Sequence, residues 1–124
     1  MGRDDVGDGE LLCHRGDGRH VHCMLKTSRP AEDDWRSHYE QRKKPRRSQI
    51  GSALDHMALS MWESPDDLIA LNEQFERKLG DFIAVVELSG EEGIWFAETG
   101  PEGHHNVWGR PAALQRLCLA IHPV

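Results

Sequence analysis

"DFIAVVELSGEEGIWFAETG", residues 81–100, sets two short apolar runs on either side of a break rich in Gly and Glu. The first run, Asp81 to Leu88, is rich in β-branched residues and too short for a buried helix, so it reads as a buried strand. "SGEEG" supplies turn chemistry, and "IWFAETG" (94–100) returns as the strand's partner in a central hairpin. Alternation from Ile83 and Val85 places Glu87 on an otherwise apolar face. It is either a buried functional carboxylate or the exposed end of the strand, and Glu98 poses the same alternative.

Working outward, "SPDDLIALNEQFERKLG" (64–80) carries strong helix punctuation. Ser64 caps, Pro65 takes the first position, Leu68, Leu71, Phe75 and Leu79 face inward, and Gly80 is the stop. In "SQIGSALDHMALSMW" (48–62), Ile50, Leu54, Met57, Ala58 and Met61 make a helical stripe, whose end "ALSMW" could instead be a short strand. "SRPAEDDWRSHYEQRKK" (28–44) has acids at its start, cations Arg42, Lys43 and Lys44 at its end, and Pro45 to stop it, the charge order of a helix. Its apolar face is little more than Trp35 and Tyr39. "ELLCHRGDGRHVHCMLKT" (10–27) places two apolar-rich runs around Gly16-Asp17-Gly18 and reads as an N-terminal β-hairpin. The RGD tripeptide within it is explained by that turn. Beyond residue 100, "PEGHHNVWGRP" reads as a loop with room for a short strand at Asn106 to Trp108. Ala112 to Leu117 then gives one or two helical turns, and "CLAIH" a last strand. The order predicts a small single α+β domain over 10–124, with a mostly antiparallel sheet built from the two hairpins and packed by two or three helices.

Composition bounds the function. The 124 residues carry 38% hydrophobic and 29% charged residues and a formal net charge of -6. That suits one soluble domain with a modest core. No apolar run approaches the roughly 20 residues of a membrane span, and the start "MGRDDVGDGE" is neither a secretory signal nor, with Val6, a myristoylation site. Residues 1–9 read as a disordered acidic tail. Three cysteines, Cys13, Cys23 and Cys118, are too few and odd in number for a disulfide scaffold, which points to reduced thiols in the cytoplasm. Residues 63–102 hold eleven acids against Arg77 and Lys78.

Three clusters carry candidate chemistry. On the expected hairpin, His20 and His22 share a face, joined by Cys13 or by His14 according to the turn's register. Cys13, His20 and His22 are the candidate metal ligands, with zinc the candidate ion; the bland reading is a solvated strand with Val21 and Cys23 packed inward. "GHHNVWG" (103–109) offers acid/base groups in His104 and His105, an amide in Asn106 and a stacking platform in Trp108; the bland reading is a turn plugged by Trp108. "RKKPRR" (42–47) ends the expected helix with its first three cations and leaves Arg46 and Arg47 to grip phosphate or carboxylates, with a nucleic-acid patch as the competing reading. No Walker A, GxGxxG, CxxC, HExxH or GxSxG motif is present. No partner for Ser37, Ser60 or Ser64 can be identified from the sequence.

"WRSHYE" and "ALSMWES" resemble in outline the short Ser-bearing strands of ADP-ribosyltransferase-like folds. That resemblance implies a small α+β core in which "LLCHR" supplies a first-strand Arg or His and Glu87 or Glu98 the acid. The leading expectation is a small cytoplasmic protein-binding or accessory module, antitoxin-like or immunity-like, without catalysis. Its acidic surface would meet a basic partner. The partner expected is a protein ahead of a nucleic acid, with a second copy of the chain a further candidate. The alternative is a small enzyme, ADP-ribosyltransferase-like or metal-dependent, using the His-rich hairpin and "GHHNVWG".

Overall fold

A computed structural model describes residues 13–36 and 58–124. The expected tail, the cationic run with Arg46 and Arg47, and most of the stripe over 48–62 lie outside these residues. The described residues form a seven-stranded antiparallel sheet with two α-helices. The strands are β1 (His14–Arg15), β2 (Asp17–Leu25), β3 (Leu59–Trp62), β4 (Phe82–Ser89), β5 (Trp95–Glu98), β6 (His104–Trp108) and β7 (Cys118–Pro123). The helices are α1 (Pro65–Gln74) and α2 (Pro111–Arg116). The sheet order is β1-β5-β6-β3-β2-β4-β7.

Only Gly16 separates β1 from β2, so one stretch of chain borders the sheet at β5 and also sits inside it between β3 and β4. The sheet therefore curls until its first strand meets both ends of the β5-β6-β3 run, a small barrel with β4 and β7 extending from its side. Both expected hairpins are thereby corrected. Gly16-Asp17-Gly18 does not reverse the chain: the Gly16 N–H donates to the Ile94 carbonyl at 2.8 Å, and Asp17 already pairs with Ser89. The glycines serve a bulge, where the register shifts between Asp17 and His20 and Gly18 adopts φ 89. The turn after residue 89 exists, but β4 and β5 are not partners. A strand has two edges, and those of β4 are filled by β2 and β7. Across the short 3₁₀ turn Gly90–Glu92, β5 leaves to pair with β1 and β6. The hairpin this region does make is β5–β6, across the turn 99–103. "ALSMW" ends as strand β3, and "HHNVW" is strand throughout.

Alternation fills the barrel. Val21, Cys23, Met61, Val86, Leu88, Phe96 and Val107 meet inside, capped by Ile94 and Leu114. Burial pushes the Cys23 thiol up to about 12, with Cys118 adding to the effect, so this thiol is inert in the folded state. A short 3₁₀ turn, Glu32–Trp35, stands where the sequence suggests a short surface helix or a partly irregular stretch, and it buries Trp35 against α2, where the indole N–H donates to Gln115.

Helix α1 ends earlier than its sequence suggests. Glu76 and Arg77 adopt left-handed φ values of 57 and 63, and Phe75 is 53% exposed rather than inward. The buried Asn72 amide holds the departing chain, donating to the Gly80 carbonyl and accepting from the Leu79 N–H. Gly80 is not the helix stop. A Cβ there would lie 2.4 Å from the Leu25 carbonyl oxygen, so this glycine lets the chain pass close to the end of β2. Ser64 stands at the helix entrance without a side-chain capping bond. No helix among the described residues is long and apolar enough to cross a membrane.

Candidate functional site

Strand β6 sorts the "GHHNVWG" side chains. In an extended strand successive residues face opposite sides, so His105 and Val107 point into the barrel while His104, Asn106 and Trp108 lie on its outer face. The four candidates do not share one loop. They belong to two sites, back to back.

The inner site closes one end of the barrel. Arg19 enters from β2, beyond the bulge, and its guanidinium lies 4.4 Å from the centre of the Phe96 ring. It donates to Asp17, reaches Glu98 at 3.1 Å and approaches His105 Nε2 at 3.0 Å. His105 is fully buried, and its other nitrogen, Nδ1, lies 3.1 Å from the Gly103 carbonyl oxygen. A carbonyl only accepts and a guanidinium only donates, so the proton sits on Nδ1 and Nε2 is the acceptor. Glu98 is thus an ion-pair partner on the rim.

Hydrogen bonds from Arg19 hold the Asp17 carboxyl below its usual range, and Asp17 in turn raises Arg19. A carboxylate with a depressed folded-state pKa stabilises the fold above its unfolded value, and loses that contribution as pH falls through the folded value. Asp17→Asn is therefore expected to cost less than about 1 kcal/mol at neutral pH, because the pair is part-exposed. Wild type and variant should converge in acid below the depressed pKa. Urea unfolding of both proteins at neutral and strongly acidic pH measures this.

The outer site joins β3 to β6. Ser60 is exposed, and its Oγ lies 2.6 Å from His104 Nε2. His104 Nδ1 lies 2.9 Å from the Thr99 carbonyl oxygen and 3.4 Å from Thr99 Oγ1. The carbonyl again fixes the proton on Nδ1, which leaves Nε2 to accept from the serine. The imidazole is braced edge-on by Trp62 at 4.9 Å. Thr99 is fixed in turn, its N–H donating to the His104 carbonyl at 3.1 Å across the β5–β6 turn. Sequence reasoning could not pair Ser60 with His104, since 44 residues separate them; the signal lies in the register, where Ser60 faces Asn106 and Trp62 faces His104.

The candidate metal ligands are not brought together. With no hairpin, β1 and β2 carry Cys13 away from His22 along one extended course, on the order of 30 Å of chain at strand spacing. His20 is exposed opposite Glu87, and His22 Nδ1 lies 3.2 Å from the Trp62 carbonyl oxygen. Among the described residues no three His, Cys, Asp or Glu side chains are grouped to hold a metal ion. Beside the bulge lies an open cleft of about 550 Å³, lined by Arg15, Asp17, Glu87, Ser89 and Glu91 with glycine backbone between them. No family model, curated protein or solved structure matches this chain.

Proposed function

We propose that the domain is a binding module for a basic protein partner, an accessory protein of the antitoxin or immunity type. The observation that carries this reading is the cleft beside the bulge, whose lining holds Asp17, Glu87 and Glu91 with Arg15 as its one cation. Residues 81–102, which supply Glu87 and Glu91, hold six carboxylates and no Lys or Arg. Arg19 engages both Asp17 and Glu98, and Arg116 engages Glu92, while Glu87 and Glu91 enter no ion pair among the described residues. Two uncompensated carboxylates at a cleft mouth suit a lysine or arginine offered by a partner, and the surrounding field speeds its approach. His105 points into the barrel while His104 lies on its outer face, so the two adjacent histidines do not work in one site.

The test is affinity capture from native extract with the wild type beside Glu87→Gln/Glu91→Gln. Wild type should retain a basic protein that the double variant loses and that added salt releases. Equal capture by both proteins, or capture of acidic proteins only, would contradict the reading.

A further inference from the structure

The geometry points to a second capability, on residues unrelated to the acidic cleft: we propose that Ser60 is an activated nucleophile, with His104 as its general base and Asn106 as donor to the developing oxyanion. The three lie on the outer face of β3 and β6, and the proposal stands or falls independently of partner binding.

A serine hydroxyl needs a neighbouring base that is unprotonated on the near nitrogen and held in place by a third group. His104 meets both conditions. Its Nε2 lies 2.6 Å from Ser60 Oγ, and its Nδ1 proton is committed to the Thr99 carbonyl at 2.9 Å. Thr99 is a positioning residue that acts through its backbone. Trp62, edge-on to the imidazole, keeps the ring from turning away. Asn106 faces Ser60 directly across the β3–β6 ladder, so their Cβ atoms are about 5 Å apart on one face. That distance lets the Asn106 amide reach an oxygen on a carbon attacked by Ser60.

The substrate class is an unhindered ester. Ser60 Oγ forms a bond to the ester carbonyl carbon, the π pair moves onto oxygen beside Asn106, and the hydroxyl proton passes to His104 Nε2. Collapse of this intermediate breaks the bond to the alkoxide, which leaves with that proton and gives acyl-Ser60. Water then attacks by the same route and the carboxylic acid departs, restoring both groups. A backbone carbonyl replaces the usual carboxylate behind the histidine, so the imidazolium formed on the way is supported by a dipole rather than a full charge. Turnover is accordingly slow and favours activated esters.

A fluorophosphonate probe reads the first step alone: the Oγ–P bond forms, fluoride leaves, and His104 takes the proton. Intact-mass and peptide analysis should find one adduct, on Ser60. The adduct should be absent in Ser60→Ala and form about a hundredfold more slowly in His104→Gln. Ser60→Cys, a one-atom change, guards against variants that fail to fold; its new thiol should alkylate faster than the exposed Cys13 in the same molecule. Adducts spread over several serines, equal labelling of wild type and His104→Gln, or a thiol at position 60 no faster than Cys13 would each overturn the proposal.

Discussion

Phe96→Ala is expected to lower the free energy of unfolding by about 3–5 kcal/mol, the range for emptying a fully packed aromatic site. Phe96 is 1% exposed in the barrel core, and its ring meets side chains of β1, β2 and β6. Its ring lies 5.4 Å from that of His14 on β1 and 5.5 Å from that of His105 on β6. Its face supports the Arg19 guanidinium, itself tied to β2. Truncation removes the transfer energy of the ring, leaves a cavity between strands that cannot collapse independently, and withdraws the platform under a part-buried cation. Phe96→Leu separates these contributions, because it restores most of the volume without the aromatic face. That variant should cost about 1–1.5 kcal/mol. Urea unfolding of the three proteins gives both numbers, and a loss below about 1.5 kcal/mol for the alanine variant would place Phe96 outside the core.

Gly16→Ala should cost about 3 kcal/mol, for a steric reason alone. A Cβ at position 16 would stand 2.4 Å from the Leu88 carbonyl oxygen and 2.8 Å from the Gly90 nitrogen. Both are backbone atoms of β4 and its turn, so no flexible side chain can give way. The only relief is to part the strand that closes the barrel from β4. Gly18→Ala is the matching control: nothing lies within 4 Å of a Cβ there, but φ is +89, so its cost is conformational strain of about 1–2 kcal/mol. A Gly16→Ala penalty no larger than the Gly18→Ala penalty would contradict the close crossing at Gly16.

The residues that escaped sequence reading escaped it for a common reason. Strand character at 82–89, 95–98 and 118–123 and the start of α1 at Pro65 are local properties, and hydrophobic alternation and helix punctuation expose them. Strand partnership is not local. "SGEEG" has the chemistry of a hairpin turn, yet which strand takes each edge of β4 depends on β2 and β7, more than 25 residues away in either direction from one end or the other. Gly16-Asp17-Gly18 fails similarly, because glycine and aspartate serve a bulge as readily as a turn. Reading "GHHNVWG" as one loop merged two sites, since recognising residues 104–108 as a strand is what sends His104 and His105 to opposite faces. Ser60 carried no signal of its own. It became a candidate only when the register set it beside His104.

The division of adjacent His104 and His105 between an outer and an inner site is tested most directly by nitrogen NMR of the imidazoles. Above the ordinary histidine titration range, two-bond nitrogen–carbon-proton correlations report which ring nitrogen carries the hydrogen. Thr99 and Gly103 carbonyls hold the proton on Nδ1 of His104 and His105 respectively, while Ser60 and Arg19 occupy the opposite nitrogens as donors. Both residues should therefore give the Nδ1–H tautomer, the minor form of a free neutral histidine side chain, whereas the exposed His20 should give the ordinary Nε2–H pattern. An Nε2–H pattern for His104 or His105 would contradict the arrangement of the corresponding site.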